Sequence, residues 1–339
     1  MTHNKSKRVI VLGAGNFGTC LAQHLANNLH DVTIWSIEED VVASINHKRQ
    51  NLKYLSSAIL SERIAATNKI SRSLLETSAA IVIALPTQAL RAVLEGIKAD
   101  YNPDLLLVST VKGIEIDTLA LPLGIIQDVL GADIAHRACV LSGPSFAEEV
   151  FHRQPTAVSM ASFSEADCLA AQDLFHAPFF RVYRSSDPIG LGVAGAVKNV
   201  IAIAAGAVAG LGFQNNSRAA LLTRGLAEIS KIGIAMGADS RTFNGLGGVG
   251  DLFLTCTSEK SRNFTVGFRL GKGEMLEDIL KSVGSVAEGV YTAKAVHILS
   301  RKLGVEAPIC DQVYEVLYEN KAIQQAVSSL LTREPKAEF

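Results

Sequence analysis

Apolar positions in the first half of the chain fall in short, nearly unbroken runs rich in Val and Ile, separated by stretches whose apolar residues recur at helical spacing. The runs predict strands at Arg8–Leu12, Asp31–Trp35, Ala80–Leu85 (closed by Pro86), Leu105–Thr110, Ala138–Leu141, Thr156–Ala161 and Phe179–Tyr183. Helices are predicted at Asn16–Asn28, Thr87–Lys98, Leu119–Leu130 and Glu165–Phe175. Unbroken apolar strands interleaved with helices imply a mostly parallel sheet covered on both faces. After Asp187 and Pro188 the pattern becomes helical throughout, in segments near 189–210, 217–237, 264–271, 292–302 and 309–331. The reading is α/β: an N-terminal doubly wound, Rossmann-type, mostly parallel sheet over 1–187, then an all-α C-terminal domain over 188–339.

Composition narrows the function. With 48% hydrophobic and 19% charged residues the chain is a globular protein and not a disordered one. The net charge is −1 and the basic residues are scattered, so no nucleic-acid partner is expected, and an anion must be held by a few groups converging in a cleft. Five dispersed cysteines without a C-x-x-C pair, and eight histidines without an H-x-x-x-H pair, suggest neither disulfides nor a metal site; buried thiols in a cytoplasmic protein are expected. No signal peptide is read at the N-terminus. The apolar stretch Ile189–Phe213 is long enough for a membrane span, but a Lys at a bilayer centre costs about 3 kcal/mol and this stretch carries Lys198 and Asn199, so a buried core helix is expected.

Gly13-Ala14-Gly15-Asn16-Phe17-Gly18 follows the first strand and opens the first helix, the placement in which G-x-G-x-x-G lets a main chain approach a pyrophosphate at a helix N-terminus. A carboxylate at the end of the second strand would hold the ribose of NAD and repel the phosphate of NADP. Trp35-Ser36-Ile37 stands there and acids begin only at Glu38, so the site is expected to admit NADPH; the other reading has Glu38 reaching back to the ribose.

Other groups follow strands that end on the same edge. Lys112 places an ammonium after the Leu105–Thr110 run, unless it is an ordinary solvated lysine, and the segment of Gly143 and Ser145 offers N–H groups and a hydroxyl at the expected start of another helix. Lys198 sits among Ala, Gly, Val and Ile, where an amine must either snorkel or line a cleft, and where desolvation makes it suited to proton transfer. Glycines 245, 247, 248 and 250 precede Asp251, and Ser261-Arg262-Asn263 supplies a hydroxyl, a planar fork and an amide: either a phosphate receptor or a helix cap with an exposed arginine.

These segments, in order, resemble the bacterial NAD(P)-dependent glycerol-3-phosphate dehydrogenases over about residues 8–331: GAGNFG, VKGIE, SGPSFAEE, GAVKNVIAI, TRGLAEIS, GGVGDLFLTCTSEKSRN, VAEGVYTAK and the VYEVLY tail. The resemblance implies hydride transfer between NADPH or NADH and a phosphorylated triose, supplying glycerol 3-phosphate for phospholipid synthesis in a cytoplasmic homodimer. It implies Lys198 as proton acceptor, with Lys112 and Asp251 assisting. Substrate contacts would be Lys112, Gly143, Ser145, Lys198, Asp251, Ser261, Arg262 and Asn263. Cofactor contacts would be Gly13, Gly15, Asn16, Phe17, Gly18, Lys112, Ala147, Arg262, Val286 and Glu288. Two departures stand out: Val111 replaces a Thr, and Ser56 and Ser61 replace prolines, so the loop after Asn51 is expected to be looser. Dehydrogenases of a phosphorylated sugar acid or a 2-hydroxy acid, and a non-catalytic dinucleotide sensor, are the competing readings; neither needs the GDLFLTCTSEKSRN segment.

Overall fold

The computed structural model describes residues 6–56, 58–283, 287–335 and 337–338. The chain divides into two compact units, Met1–Lys112 with Pro122–Gly192, and Gly113–Leu121 with Val193–Phe339.

The first unit is an eight-stranded sheet. Its strands are β1 Arg8–Leu12, β2 Asp31–Trp35, β3 Ile64–Thr67, β4 Ala80–Ile83, β5 Leu106–Ser109, β6 Cys139–Ser142, β7 Thr156–Ala161 and β8 Phe180–Ser185. They lie in the order β3-β2-β1-β4-β5-β6-β7-β8. All pair in parallel except β6 and β7, which are antiparallel. β4, β5 and β6 are buried at every position, as strands covered on both faces must be. β8, at the sheet's edge, alternates instead, with Phe180 and Val182 inward and Arg181 and Tyr183 outward. Because β1, β2, β4, β5 and β6 run in parallel, their carboxyl ends share one edge, and the glycine loop, Ser36–Glu38, Lys112 and Gly143 all follow strands there.

Sequence patterning passed over β3, the helices Glu39–Lys48, Arg72–Thr77 and Ala132–Arg137 in this unit, and Asp251–Thr257 and Leu276–Ser282 in the other, while the helix expected after Phe146 is Ala147–Phe151. The predicted segment 309–331 is two helices, Pro308–Tyr318 and Ile323–Leu331, broken near Asn320, whose φ of 57° is left-handed.

The second unit is helical. Its helix Pro188–Gly210 has a window of mean hydropathy 1.8 that is 83% buried. This helix meets Arg262–Gly271 with main chain against main chain. A Cβ on Gly206 would lie 2.0 Å from the Phe264 carbonyl oxygen, one on Gly210 2.3 Å from that of Phe268, and one on Gly267 1.9 Å from that of Ile203. Glycine at these positions is therefore what lets the two helices cross so closely. Pro308–Tyr318 has no side-chain cap of its own; Glu228, buried on Asn215–Ala235, accepts the Ile309 and Cys310 N–H groups at 2.7 and 3.1 Å. Desolvation pushes that carboxyl up to about 7, against the pull of the two N–H groups. All five cysteines are buried and free.

Candidate active site

In the first unit the glycine loop is fixed by its neighbours. Gly13 has φ +113°, and a Cβ there would stand 2.4 Å from the Ala84 oxygen; one on Gly18 would stand 2.0 Å from the Gly13 oxygen. Folding alone thus demands glycine at both positions. Gly15 differs: nothing lies within 4 Å of the place a Cβ would take, and its φ of −65° suits any residue. Room above Gly15 is what a pyrophosphate needs to approach the main chain at the start of Asn16–Asn27, so the loop fits a dinucleotide. Asn16 is exposed at the loop tip and Phe17 packs half-buried on the core.

The segment after Asn51 is not loose. Asn51, fully buried, donates to the Ala14 oxygen at 2.7 Å and to Thr19 Oγ1 at 2.8 Å, while its own Oδ1 accepts the Tyr54 N–H at 3.2 Å. Lys53 pairs with Glu38 at the end of β2. The prolines that Ser56 and Ser61 replace are not what holds this loop; the Asn51 amide is.

Further along the same edge, Lys112 lies three residues beyond β5, half-buried. Gly143 has φ +142° and would bring a Cβ to 2.9 Å from Val158 Cα, so this turn too requires glycine. Ser145 Oγ donates to the Gly143 oxygen at 3.0 Å, and Ala147 begins a short helix whose first carbonyl accepts the Cys20 thiol at 3.0 Å.

In the second unit Lys198, 5% exposed, donates to Asp251 Oδ1 at 2.8 Å and to Thr255 Oγ1 at 2.7 Å. Asp251 is 2% exposed. Thr255 Oγ1 in turn donates to the Asp251 carbonyl oxygen at 2.6 Å, which leaves its lone pairs to receive the amine. A wide turn of π-helix at Leu246–Gly250 leads into Asp251; Gly248 is needed there because a Cβ would lie 2.1 Å from the Phe243 oxygen. Sequence reasoning singled out Lys198 and Asp251 and missed Thr255, although its i+4 spacing from Asp251 on one helix face was the signal.

One residue on, Asn199 receives the Asn263 amide at 3.0 Å, and Asn263 Oδ1 accepts the Gly289 N–H at 3.0 Å. Asn263 thereby ties together the starts of Arg262–Gly271 and Glu288–Lys302. Ser261 caps the first of these, accepting the Phe264 N–H at 3.3 Å. Arg262 is exposed at that helix start, with the Glu288 carboxylate as electrostatic partner. Ser261 therefore caps, as one sequence reading had it, while Arg262 still presents a fork. Val286 lies outside the described residues.

Residues 8–168 match the NAD-dependent glycerol-3-phosphate dehydrogenase N-terminus, and residues 187–328 the C-terminus of the same family. The chain is 45% identical to glycerol-3-phosphate dehydrogenase [NAD(P)+] of Citrifermentans bemidjiense, covering 98% of this chain and 99% of that one. It is 47% identical to the enzyme of the same name from Geobacter metallireducens, with coverage of 98% and 99%. The crystal structure of glycerol-3-phosphate dehydrogenase from Coxiella burnetii superposes with a TM-score of 0.92 at 35% identity, over 97% of this chain and 99% of that chain. Two matched halves in sequence, and a fold shared from end to end, make this chain a member of the NAD-dependent glycerol-3-phosphate dehydrogenase family.

Proposed function

We propose that the chain interconverts sn-glycerol 3-phosphate and dihydroxyacetone phosphate with NAD(P)H, and that Lys198 moves the proton. The observation that carries this reading is a buried amine, held by Asp251 and Thr255, in a helix whose side chains around it are, Asn199 apart, small and aliphatic. When bound, the nicotinamide supplies a hydride to C2 of the triose or receives one from it. Lys198 Nζ gives its proton to the C2 carbonyl oxygen in reduction and takes the hydroxyl proton in oxidation. Asp251 and Thr255 fix two of the amine's donor directions.

Arg262 receives the phosphate with its fork, helped by the positive end of its ten-residue helix. The Asn263 side chain is committed to Asn199 and Gly289, so its part is to hold those helix starts, while its main chain faces the anion. Lys112, Gly143 and Ser145 complete the substrate contacts from the sheet edge, and Gly13, Gly15, Asn16, Phe17, Gly18 and Ala147, with Arg262 and Glu288, hold the dinucleotide. Residues 1–187 are the dinucleotide-binding domain and 188–339 the helical substrate and catalytic domain. Family resemblance supports a cytoplasmic homodimer without membrane insertion that supplies glycerol 3-phosphate for phospholipid synthesis.

Adding dihydroxyacetone phosphate to enzyme and reduced nicotinamide should bleach the nicotinamide absorbance, while phosphorylated sugar acids and 2-keto acids should not. Lys198→Met should lower kcat by about 10² or more. Because it leaves Asp251 buried without its cation, at a cost of about 3 kcal/mol, the assay is made on protein whose circular dichroism is native. Wild-type turnover in that protein would remove Lys198 from the reaction.

A further inference from the structure

The end of β2 carries chemistry that the reaction itself leaves unused. Trp35 closes the strand, and its carbonyl accepts the Gly13 N–H at 3.0 Å, so the residues after it start from the glycine loop's own turn. Ser36 is buried and its hydroxyl accepts the Glu38 N–H at 3.2 Å, which sets the direction of the chain there. Ile37 is 80% exposed, an apolar side chain in water with no packing role. Glu38, Glu39 and Asp40 follow in succession at the start of the helix Glu39–Lys48.

Glu38 is held and not floating. Its carboxylate pairs with Lys53, and its charge acts on the neighbouring Tyr54 phenol. Both partners come from the segment that Asn51 fastens to Ala14 of the glycine loop. A single short loop thus links the pyrophosphate turn to the carboxylate at the adenosine end.

We propose that Glu38 selects the dinucleotide in this enzyme and that the chain favours NADH over NADPH. The inference rests on the dinucleotide reading of the glycine loop given above. A ribose with free 2′- and 3′-hydroxyls offers two donors, which a fixed carboxylate accepts. A 2′-phosphate brings about −1.5 to −2 charges and needs cations instead.

The cations of this region are committed or distant. Lys53 is paired with Glu38. The Arg49 guanidinium donates to the Ile64 and Leu60 carbonyl oxygens. Arg63 pairs with Asp31 at the opposite, amino end of β2. His47 and Lys48 lie in the last turn of Glu39–Lys48, away from its start. Lys69, two residues beyond β3, and Lys112, three beyond β5, also follow strands on this edge, but β2 itself is followed by three consecutive acids, Glu38, Glu39 and Asp40. The favourable N-terminal field of the helix is already matched by Glu39 and Asp40 in its first turn. Absence of an acid at Trp35 admits NADPH without favouring it, because a carboxylate arrives three residues later at Glu38.

Isothermal titration of the full-length protein with NADH and with NADPH, without substrate, tests this directly. NADH should bind at least about tenfold more tightly, the scale of one or two hydrogen bonds to a charged group. Glu38→Gln, an isosteric change at the surface, should weaken NADH about tenfold and close most of the gap. Ile37→Arg, at an exposed position that folding does not use, should tighten NADPH by about tenfold or more and leave NADH within about twofold. Equal or tighter NADPH binding by the wild type, or an unchanged NADH-to-NADPH ratio in Glu38→Gln, would overturn the proposal while the dinucleotide reading survives. Failure of both nucleotides to bind the wild type would overturn that reading and this inference together.

Discussion

In the first unit the candidate chemistry is made of main chain: Gly13, Gly18 and Gly143 are required by neighbouring carbonyls and Cα atoms, and Gly15 leaves an opening. In the second unit it is made of side chains: Lys198, Asp251 and Thr255 bond one another, and Asn263 bridges Asn199 to Gly289. Glycines matter in both, for opposite reasons. At the sheet edge they free the main chain to meet a ligand. Between Pro188–Gly210 and Arg262–Gly271 they bring two helices close enough that Asn199 on one and Asn263 on the other bond directly. A strand edge recognises by shape of the backbone, whereas a helix pair recognises by what its neighbours force into register.

The largest effect should come from breaking that helix crossing. Gly267→Ala puts a Cβ 1.9 Å from the Ile203 oxygen, a main-chain atom that cannot step aside, and should cost about 3 kcal/mol or more, read as a fall in the urea midpoint.

Next comes acidity, which should act on the two units with opposite sign. Burial of His24 in the first unit, with smaller contributions from the charges of His30 and Arg153, lowers its pKa from 6.5 to about 4 although the Phe175 carbonyl opposes. The unfolded chain takes up a proton that the folded one refuses, so stability present above pH 6.5 is lost as pH falls toward 4. Glu228 in the second unit is raised from 4.5 to about 7, so its contribution is complete below pH 4.5 and is lost as pH rises through 7. Each amounts to at most about 3 kcal/mol from end to end. Acidification from neutrality should therefore loosen β1 and its neighbours while tightening Pro308–Tyr318, as read from segment-resolved hydrogen exchange corrected for intrinsic rates. Glu228→Gln should abolish the second trend alone.

The smallest effect on stability sharpens the contrast most. Gly15→Ala has open space around it and should change stability by no more than about 1 kcal/mol, yet weaken dinucleotide binding about tenfold by calorimetry. Equal losses of stability in Gly15→Ala and Gly267→Ala would erase the distinction between the two uses of glycine.

What sequence patterning reached follows the same division. β1, β2 and β7 and the helix Glu165–Phe175 have the bounds their apolar runs predicted, because the runs stop at Gly13, Ser36 and Ser162 and the helix opens on Ser164. β3 was missed since Ile64-Ala65-Ala66-Thr67 is short and half alanine, with little of the bulk that marks a strand. Asp251–Thr257 was missed because the glycines leading into it read as loop, when they form a wide helical turn. The glycine loop was legible as a motif with its strand and helix attached. Thr255's bond to Lys198 and Asn263's to Asn199 were not, since they join residues 57 and 64 positions apart that only the packing of separate helices brings together.

The Ala14 carbonyl has a bearing on anions that its place in the glycine turn conceals. Its oxygen receives both the Asn51 amide, at 2.7 Å, and the Thr19 hydroxyl, at 3.1 Å, so two donors meet its two lone pairs. A carbonyl left bare beside a phosphate would repel it; here that negative end is quenched from behind. The oxygen at the heart of the turn is in effect spent on the protein's own donors, and an asparagine 37 positions downstream keeps it so.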